Sequence, residues 1–234
     1  LSITGRGWTT IRMSTKTSPS LNLERTLFEG GAKYVLGIDE VGRGAIAGPV
    51  AVGVAVIDIS KLAEPWPAKL RDSKLLSEKV REELFEPTGL WVNQWAVGMA
   101  SAKEIDANGI VWCLEAAARR AIDQLDIKFD EVHAILDGSH NWLARAPFAV
   151  KVQTKADRDC ASVAAASVLA KVTRDRVMID LAKKLDGYGL EGHKGYASAG
   201  HIAAIREVGP SEEHRLTWLS RILADPNSTV GEEG

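Results

Sequence analysis

Residues 34–56, YVLGIDEVGRGAIAGPVAVGVAV, constrain the fold of this chain more than any other stretch. Two runs rich in Val, Ile and Ala flank Gly42, Gly44 and Gly48, which reads as two core strands joined by a glycine-rich turn. Asp39 and Glu40 stand at the end of the first run. Charged groups in so apolar a setting carry a desolvation cost unless something compensates them, and a divalent cation is the obvious candidate. Neighbouring residues on a regular strand face opposite sides, so these two acids share one site only through twist, a bulge or an end position.

The remaining elements follow from periodicity and breakers. Leu21–Phe28 reads as a short helix, and a second helix starts near Ser77 and stops by Pro87. Asp72, Ser73 and Lys74 precede it as an exposed polar knot. Leu90–Ser101 reads as a third strand and Ala102–Leu125 as one long helix. Val132–Leu136 is a short strand ending in Asp137, the second place where an acid terminates an apolar run. A fifth strand, Phe148–Gln153, leads through a polar turn to an Ala-rich helix over Asp159–Leu185. Asp157 stands just before that helix, and taken alone it is a helix N-cap. A glycine-rich loop, 187–200, carries His193, Lys194 and Tyr196, and two helical pieces cover 201–208 and 213–223.

A chain of 234 residues with 45% hydrophobic content can bury a good core. Its net charge of −2 announces neither a nucleic-acid binder nor a membrane-surface protein. Between His140 and Arg221 there are 13 Lys and Arg against 9 Asp and Glu, an excess that permits a phosphate-bearing partner and no more. Cys113 and Cys160 sit alone in Ala-rich surroundings, which reads as two buried thiols in a reducing compartment. No apolar run approaches the roughly 18 residues that span a bilayer. The expectation is a cytoplasmic protein.

Asp39, Glu40, Asp137 and Asp157 make an oxygen donor set suited to one or two hard cations, Mg²⁺ or Mn²⁺, and thereby to phosphoryl chemistry. A rival reading takes Gly42, Gly44 and Gly48 as a loosened dinucleotide-binding turn. It is weaker, because Pro49 and the β-branched run continue as a strand where that turn needs a helix.

Six strings, IDEVGRGAIAGPV at 38–50, DSK at 72–74, LDGSH at 136–140, KADRDCASVAAASVLAKVTRD at 155–175, HKGYAS at 193–198 and GPSEEHR at 209–215, occur in an order that resembles bacterial type 2 ribonuclease H, the ribonuclease HII family. The resemblance covers roughly Tyr34 to Leu223. Length favours it over the type 3 relative, whose additional N-terminal domain the 33 residues before Tyr34 would not encode.

The resemblance implies an α/β ribonuclease H-like fold, a mixed five-stranded sheet flanked by helices with a small helical C-terminal part. Residues 1–20, polar and without an apolar period, read as a flexible leader and 226–234 as a disordered tail; between them the expected organisation is a catalytic domain over 21–186 and a loop and helices over 187–225 that complete the substrate site. The implied activity is metal-dependent cleavage of RNA in RNA–DNA hybrids and on the 5′ side of single ribonucleotides embedded in duplex DNA, by a monomer. Asp39, Glu40, Asp137 and Asp157 match the metal-binding acids. Gly42, Arg43 and Gly44 match the segment that contacts the ribose 2′-hydroxyl, and Tyr196 the aromatic residue that packs on the sugar at the junction. Lys74, Lys171 and Arg174 are expected phosphate contacts, while His193, His201 and His214 are either substrate-handling or structural. Two positions depart from the pattern: Ala156 stands where glycine is usual, and Ala197–Ser198 replace Gly-Thr. A nucleic-acid binding protein that has lost catalysis is the alternative from another class.

Overall fold

The two apolar runs pair as their sequence predicts. In the computed structural model, which describes residues 18–224, Tyr34–Val41 (β1) and Val50–Asp58 (β2) form an antiparallel ladder that runs unbroken from Tyr34↔Asp58 to Val41↔Ala51. Gln94–Ala100 (β3) pairs antiparallel on the far side of β2, and Val132–Asp137 (β4) and Ala149–Gln153 (β5) add in parallel beyond β1. The sheet is therefore mixed, in the order β3-β2-β1-β4-β5.

Both faces of the sheet are covered, which explains why β1 and β2 read as nearly continuous apolar runs. Ala161–Ala182 (α6 in chain order) crosses one face, with Val163, Ala164, Ala166 and Val168 packed against Val35, Ala55 and Ile135. A side chain at Gly37 or Gly53 would strike the α6 backbone near Ser162 or Ala166, so the helix lies directly on the strands. Asn22–Glu29 (α1) and Glu78–Trp91 (α2) flank α6 on that face. Ala102–Asn108 (α3) leads into Ile110–Ile122 (α4), which buries Cys113, Leu114 and Ala117 against Leu36, Ile38 and Val54 on the other face. Both cysteines are free and buried.

Four boundaries differ from the sequence reading. Helix α2 continues through Pro87 to Trp91, because burial of Leu84, Thr88 and Trp91 offsets the one hydrogen bond that proline removes. The third strand accordingly starts at Gln94, not Leu90. The long helix over Ala102–Leu125 is two, broken at Gly109, whose φ of +80° ends α3 while its carbonyl accepts the Cys113 N–H. The Ala-rich helix is preceded by a separate turn, Ala156–Asp159 (α5), because Cys160 is extended and bridges to Ser20. Ser20 is thus tied into the fold, while the rest of the expected leader up to residue 17 and the tail from 226 lie outside the described residues.

Beyond α6, Leu190–His193 (α7), Ala199–Val208 (α8) and Leu216–Ala224 (α9) form the C-terminal part. Ile202, Ile205 and Leu219 pack on Ile46, so this part is seated on the glycine-rich turn between β1 and β2. Asp106 of α3 accepts the Leu216 and Thr217 N–H groups at 2.8 and 3.0 Å and caps α9 from outside. Among the described residues no helix is long and apolar enough to cross a membrane.

Candidate active site

The parallel ladder between β1 and β4 ends at Ile38↔Leu136. Asp39 and Asp137 are the next pair in that register, side by side at the carboxyl ends of two parallel strands, where open α/β sheets place their ligand sites. The sequence left open how Asp39 and Glu40 could share a site. No bulge is present, since the β1–β2 register is regular through both residues; Asp39 is level with the last residue of β4 and Glu40 lies one residue past it, and at this end of the strands both line one cleft. That cleft, of about 890 Å³, is lined by Asp39, Glu40, Gly42, Gly44, Lys74 and Tyr196 among others.

The carboxylates crowd one another. Burial, then Glu40, Asp137 and Asp157, push the Asp39 carboxyl well above its ordinary range, although a Ser167 hydrogen bond pulls the other way. Burial raises Glu40 too, against the pull of Arg43, whose Nη1 lies 3.2 Å from Oε1. Asp157 is pushed up to about 7 by burial, Asp137 and Asp72, with Lys74 opposing. Asp157 is no helix N-cap: it sits inside α5, and Cys160 occupies that position for α6. Asp137 is oriented by the Ala156 N–H, 2.6 Å from its Oδ1. Ala156 itself is not left-handed; that conformation falls on Lys155, with φ 62°, so alanine at 156 carries no backbone penalty. Ala197 is likewise free of positive φ.

Asp72 and Ser73 are buried, not exposed as the sequence suggested. Asp72 accepts the Lys74 N–H at 2.8 Å, and Ser73 Oγ accepts from Ser167 of α6 at 2.9 Å. The knot holds Ser73 at the wall of the cleft and turns the Lys74 side chain into it. Burial works to lower the Lys74 pKa, but Asp39, Asp157, Asp72 and Asp137 together raise it. Lys171 also lines the cleft, steadied by Asp175 at 2.9 Å.

Arg174 is a correction. It is fully buried and does not reach the cleft; its guanidinium donates to the carbonyls of Pro49, Lys194 and Ala47 at 2.8, 2.9 and 3.3 Å. Arg215, given no role by its sequence, is its counterpart, donating to Arg43, Gly42 and Gly48 carbonyls at 2.8, 2.6 and 3.2 Å. Two guanidiniums without a carboxylate partner among the described residues thus hold the turn from beneath. Burial, and secondarily Arg174, push Arg215 down to about 9. No local pattern reveals such residues, because a lone Arg in sequence reads as a surface cation.

The two glycines differ. Gly42 has φ +77°, and a Cβ there would stand 2.0 Å from Arg174 Nε; at Gly44 a Cβ would meet open space. Gly42 is therefore required by the packing beneath it, whatever approaches it from the cleft that it also lines. Its N–H donates to Tyr196 Oη at 3.2 Å. The turn runs into β2 and no helix begins there, which removes the dinucleotide reading.

A divalent cation fits this donor set. All four groups are carboxylates, Glu40 Oε2 is buried without a hydrogen-bond partner, and crowding leaves the acids short of positive charge. As the side chains stand, no three His, Cys, Asp or Glu among the described residues are gathered tightly enough to hold an ion alone. A hard ion such as Mg²⁺ keeps several waters and needs only a partly open set.

Known proteins resemble this chain in sequence and in fold. A sequence profile described as ribonuclease HII matches residues 36–221. The ribonuclease HII of Streptomyces coelicolor is 47% identical over 201 residues, covering 86% of this chain and 83% of that protein. The ribonuclease H2 of Pyrococcus horikoshii superposes with a TM-score of 0.61 at 28% identity, over 79% of this chain and 93% of the other. The ribonuclease HII of Archaeoglobus fulgidus, solved in complex with PCNA, gives a TM-score of 0.64 at 27% identity, over 79% and 94%.

Proposed function

This chain belongs to the ribonuclease HII family, and on that premise we propose that it is an endoribonuclease for single ribonucleotides embedded in duplex DNA as well as for RNA–DNA hybrids. Family membership makes it a ribonuclease H hydrolase; the finer reading adds cutting on the 5′ side of the ribonucleotide, to leave 3′-hydroxyl and 5′-phosphate ends. The observation that carries it is the crowding of four acids, Asp39 and Glu40 on β1, Asp137 at the end of β4 and Asp157 in α5, where burial and mutual repulsion raise the pKa values of Asp39, Glu40 and Asp157 against the opposing charges of Lys74 and Arg43.

Asp39, Glu40, Asp137 and Asp157 would hold Mg²⁺ or Mn²⁺. The chemistry that bound ions supply is activation of a water and neutralisation of charge on the phosphate and the leaving 3′-oxygen. Lys74 adds a fixed positive charge next to the acids, and Lys171 a second one across the cleft, both suited to phosphate. Arg43 and Gly44 project from a turn braced beneath by Arg174 and Arg215, so their backbone meets a sugar without having to reorganise. The exposed Tyr196 ring offers a flat face to the neighbouring sugar, and a 2′-hydroxyl there would crowd it. The enzyme is read as a monomer acting on replicated or repaired DNA in the cytoplasm.

The test uses a DNA duplex with one embedded ribonucleotide and an otherwise identical all-DNA duplex, each in Mg²⁺, Mn²⁺ or EDTA. One metal-dependent cut 5′ to the ribonucleotide, with the all-DNA control intact, is expected. Binding without scission in either metal would refute the enzymatic reading and favour a binding protein.

A further inference from the structure

Three histidines lie behind Tyr196, and their hydrogen bonds specify the proton on every ring. An amide N–H only donates and a carbonyl only accepts. His214 Nδ1 receives the Ser211 N–H at 3.0 Å, so its proton is on Nε2. That proton faces His201 Nε2 at 3.0 Å, which must accept it. His201 therefore carries its own proton on Nδ1 and donates to the Tyr196 carbonyl at 2.8 Å. His193 stacks on His201 with ring centroids 4.1 Å apart, its Nδ1 accepting the Gly195 N–H and its Nε2 donating to the Tyr188 carbonyl.

The result is a one-way chain from the 209–215 loop to Tyr196. It works only with both rings neutral, and both are buried in surroundings that disfavour the charged form. At its far end, Tyr196 receives the Gly42 N–H on its hydroxyl, so the tyrosine is held from behind by His201 and in front by the turn that Arg174 and Arg215 brace. We propose that His201, oriented by His214, is a positioning residue that sets the Tyr196 ring in the cleft and so determines how strictly the sugar at the RNA–DNA junction is read. This rests on the reading of Tyr196 as the residue that packs on that sugar.

Two amide variants separate positioning from space-filling. In His201→Asn the side-chain nitrogen falls where Nδ1 stands and keeps the bond to Tyr196; in His201→Gln the amide falls where Nε2 stands and keeps His214 instead. With the Mn²⁺- or Mg²⁺-loaded full chain and the single-ribonucleotide duplex, the Gln variant is expected to raise KM about tenfold with kcat little changed, the effect of one lost buried hydrogen bond. The Asn variant is expected to rescue KM to within about threefold. Equal KM values for Asn and Gln, or a fall in kcat alone, would overturn the proposal.

Tyr196→Ala supplies the control: if it raises KM and His201→Gln does not, positioning fails while the Tyr196 reading survives; if it leaves KM unaltered, that reading fails and the proposal with it. Ring ¹⁵N spectra of the unmutated protein at pH 7 give an independent check. They should show neutral His201 protonated at Nδ1 and neutral His214 at Nε2, and the opposite tautomer of His201 would refute the chain.

Discussion

Gly42→Ala and Gly44→Ala should separate sharply, although the two glycines flank a single residue. At Gly42 the backbone is left-handed, φ +77°, which costs alanine about 1–2 kcal/mol. The new Cβ would also stand 2.0 Å from Nε, 2.5 Å from Cζ and 2.8 Å from Cδ of Arg174. That side chain cannot swing into solvent, because it is fully buried and donates to three carbonyls. Shifting it weakens bonds from a charged donor that are each worth about 1.5–3 kcal/mol. Taking the equivalent of one bond lost, the expected destabilisation of Gly42→Ala is about 2.5–5 kcal/mol. Gly44 has no positive φ, and a Cβ added there would find no atom within 4 Å, so Gly44→Ala should stay within about 0.5 kcal/mol of the parent. Urea unfolding followed by Trp fluorescence measures both. A Gly42→Ala protein less than about 1 kcal/mol weaker, or a Gly44→Ala protein equally damaged, would refute the claim that Arg174 sets the requirement at 42.

Asp39→Asn should stabilise the metal-free protein by about 1 kcal/mol, roughly 2–4 °C for a chain of this size, by relieving repulsion in the acid cluster. The same variant should lose both the rise in Tm on adding Mn²⁺ and cleavage; an unchanged Mn²⁺ shift would remove Asp39 from the donor set. The His201 ring titrates at about 4 in the folded chain against an ordinary 6.5, held down mainly by burial. The unfolded chain therefore takes up the proton first, and stability is lost as pH falls from 6.5 towards 4, by about 3 kcal/mol in all. Because Asp39 and Asp157 are shifted upward and act with the opposite sign, the quantity to plot is the stability difference between parent and His201→Asn against pH; a flat difference would contradict burial of a neutral ring. Asp106→Ala should cost about 1–2 kcal/mol by uncapping α9, with amide exchange accelerating in α9 first, whereas uniform acceleration would argue against a local cap.

The sheet was legible because its signals are local. β1 and β2 announce themselves by apolar runs, and β4 by a short run with an acid at its end. What sequence reading missed are places where distant packing overrides a local breaker or creates one. Pro87 does not stop α2, because Leu84, Thr88 and Trp91 are buried on both sides of it. Cys160, an ordinary residue in an Ala-rich run, interrupts the helix because Ser20 pairs alongside it, donating to the Asp159 carbonyl and accepting the Ala161 N–H. Ser20 lies far from Cys160 in sequence, and the α6 residues in the same core cluster as Leu84 and Trp91 lie far from Pro87, so no window of a dozen residues contains the cause.

The acids and the arginines of the site differ in the same way. Asp39, Glu40 and Asp137 could be found because a carboxylate at the end of an apolar run is anomalous in any fold. Arg174 and Arg215 could not, since the anomaly lies in their having no carboxylate, which only the folded chain reveals. Their positive charge is spread over backbone carbonyls from 42–43, 47–49 and 194, drawing three separate stretches to two guanidinium planes. Lysine could not substitute, having three donors on one atom where each arginine presents a planar fork. The negative lobe at the strand ends and the positive lobe under the turn are separated by the backbone of residues 42–48. If the cleft takes a phosphodiester as proposed, the acids would repel it and the turn would attract it, a field that favours one orientation before any side chain moves.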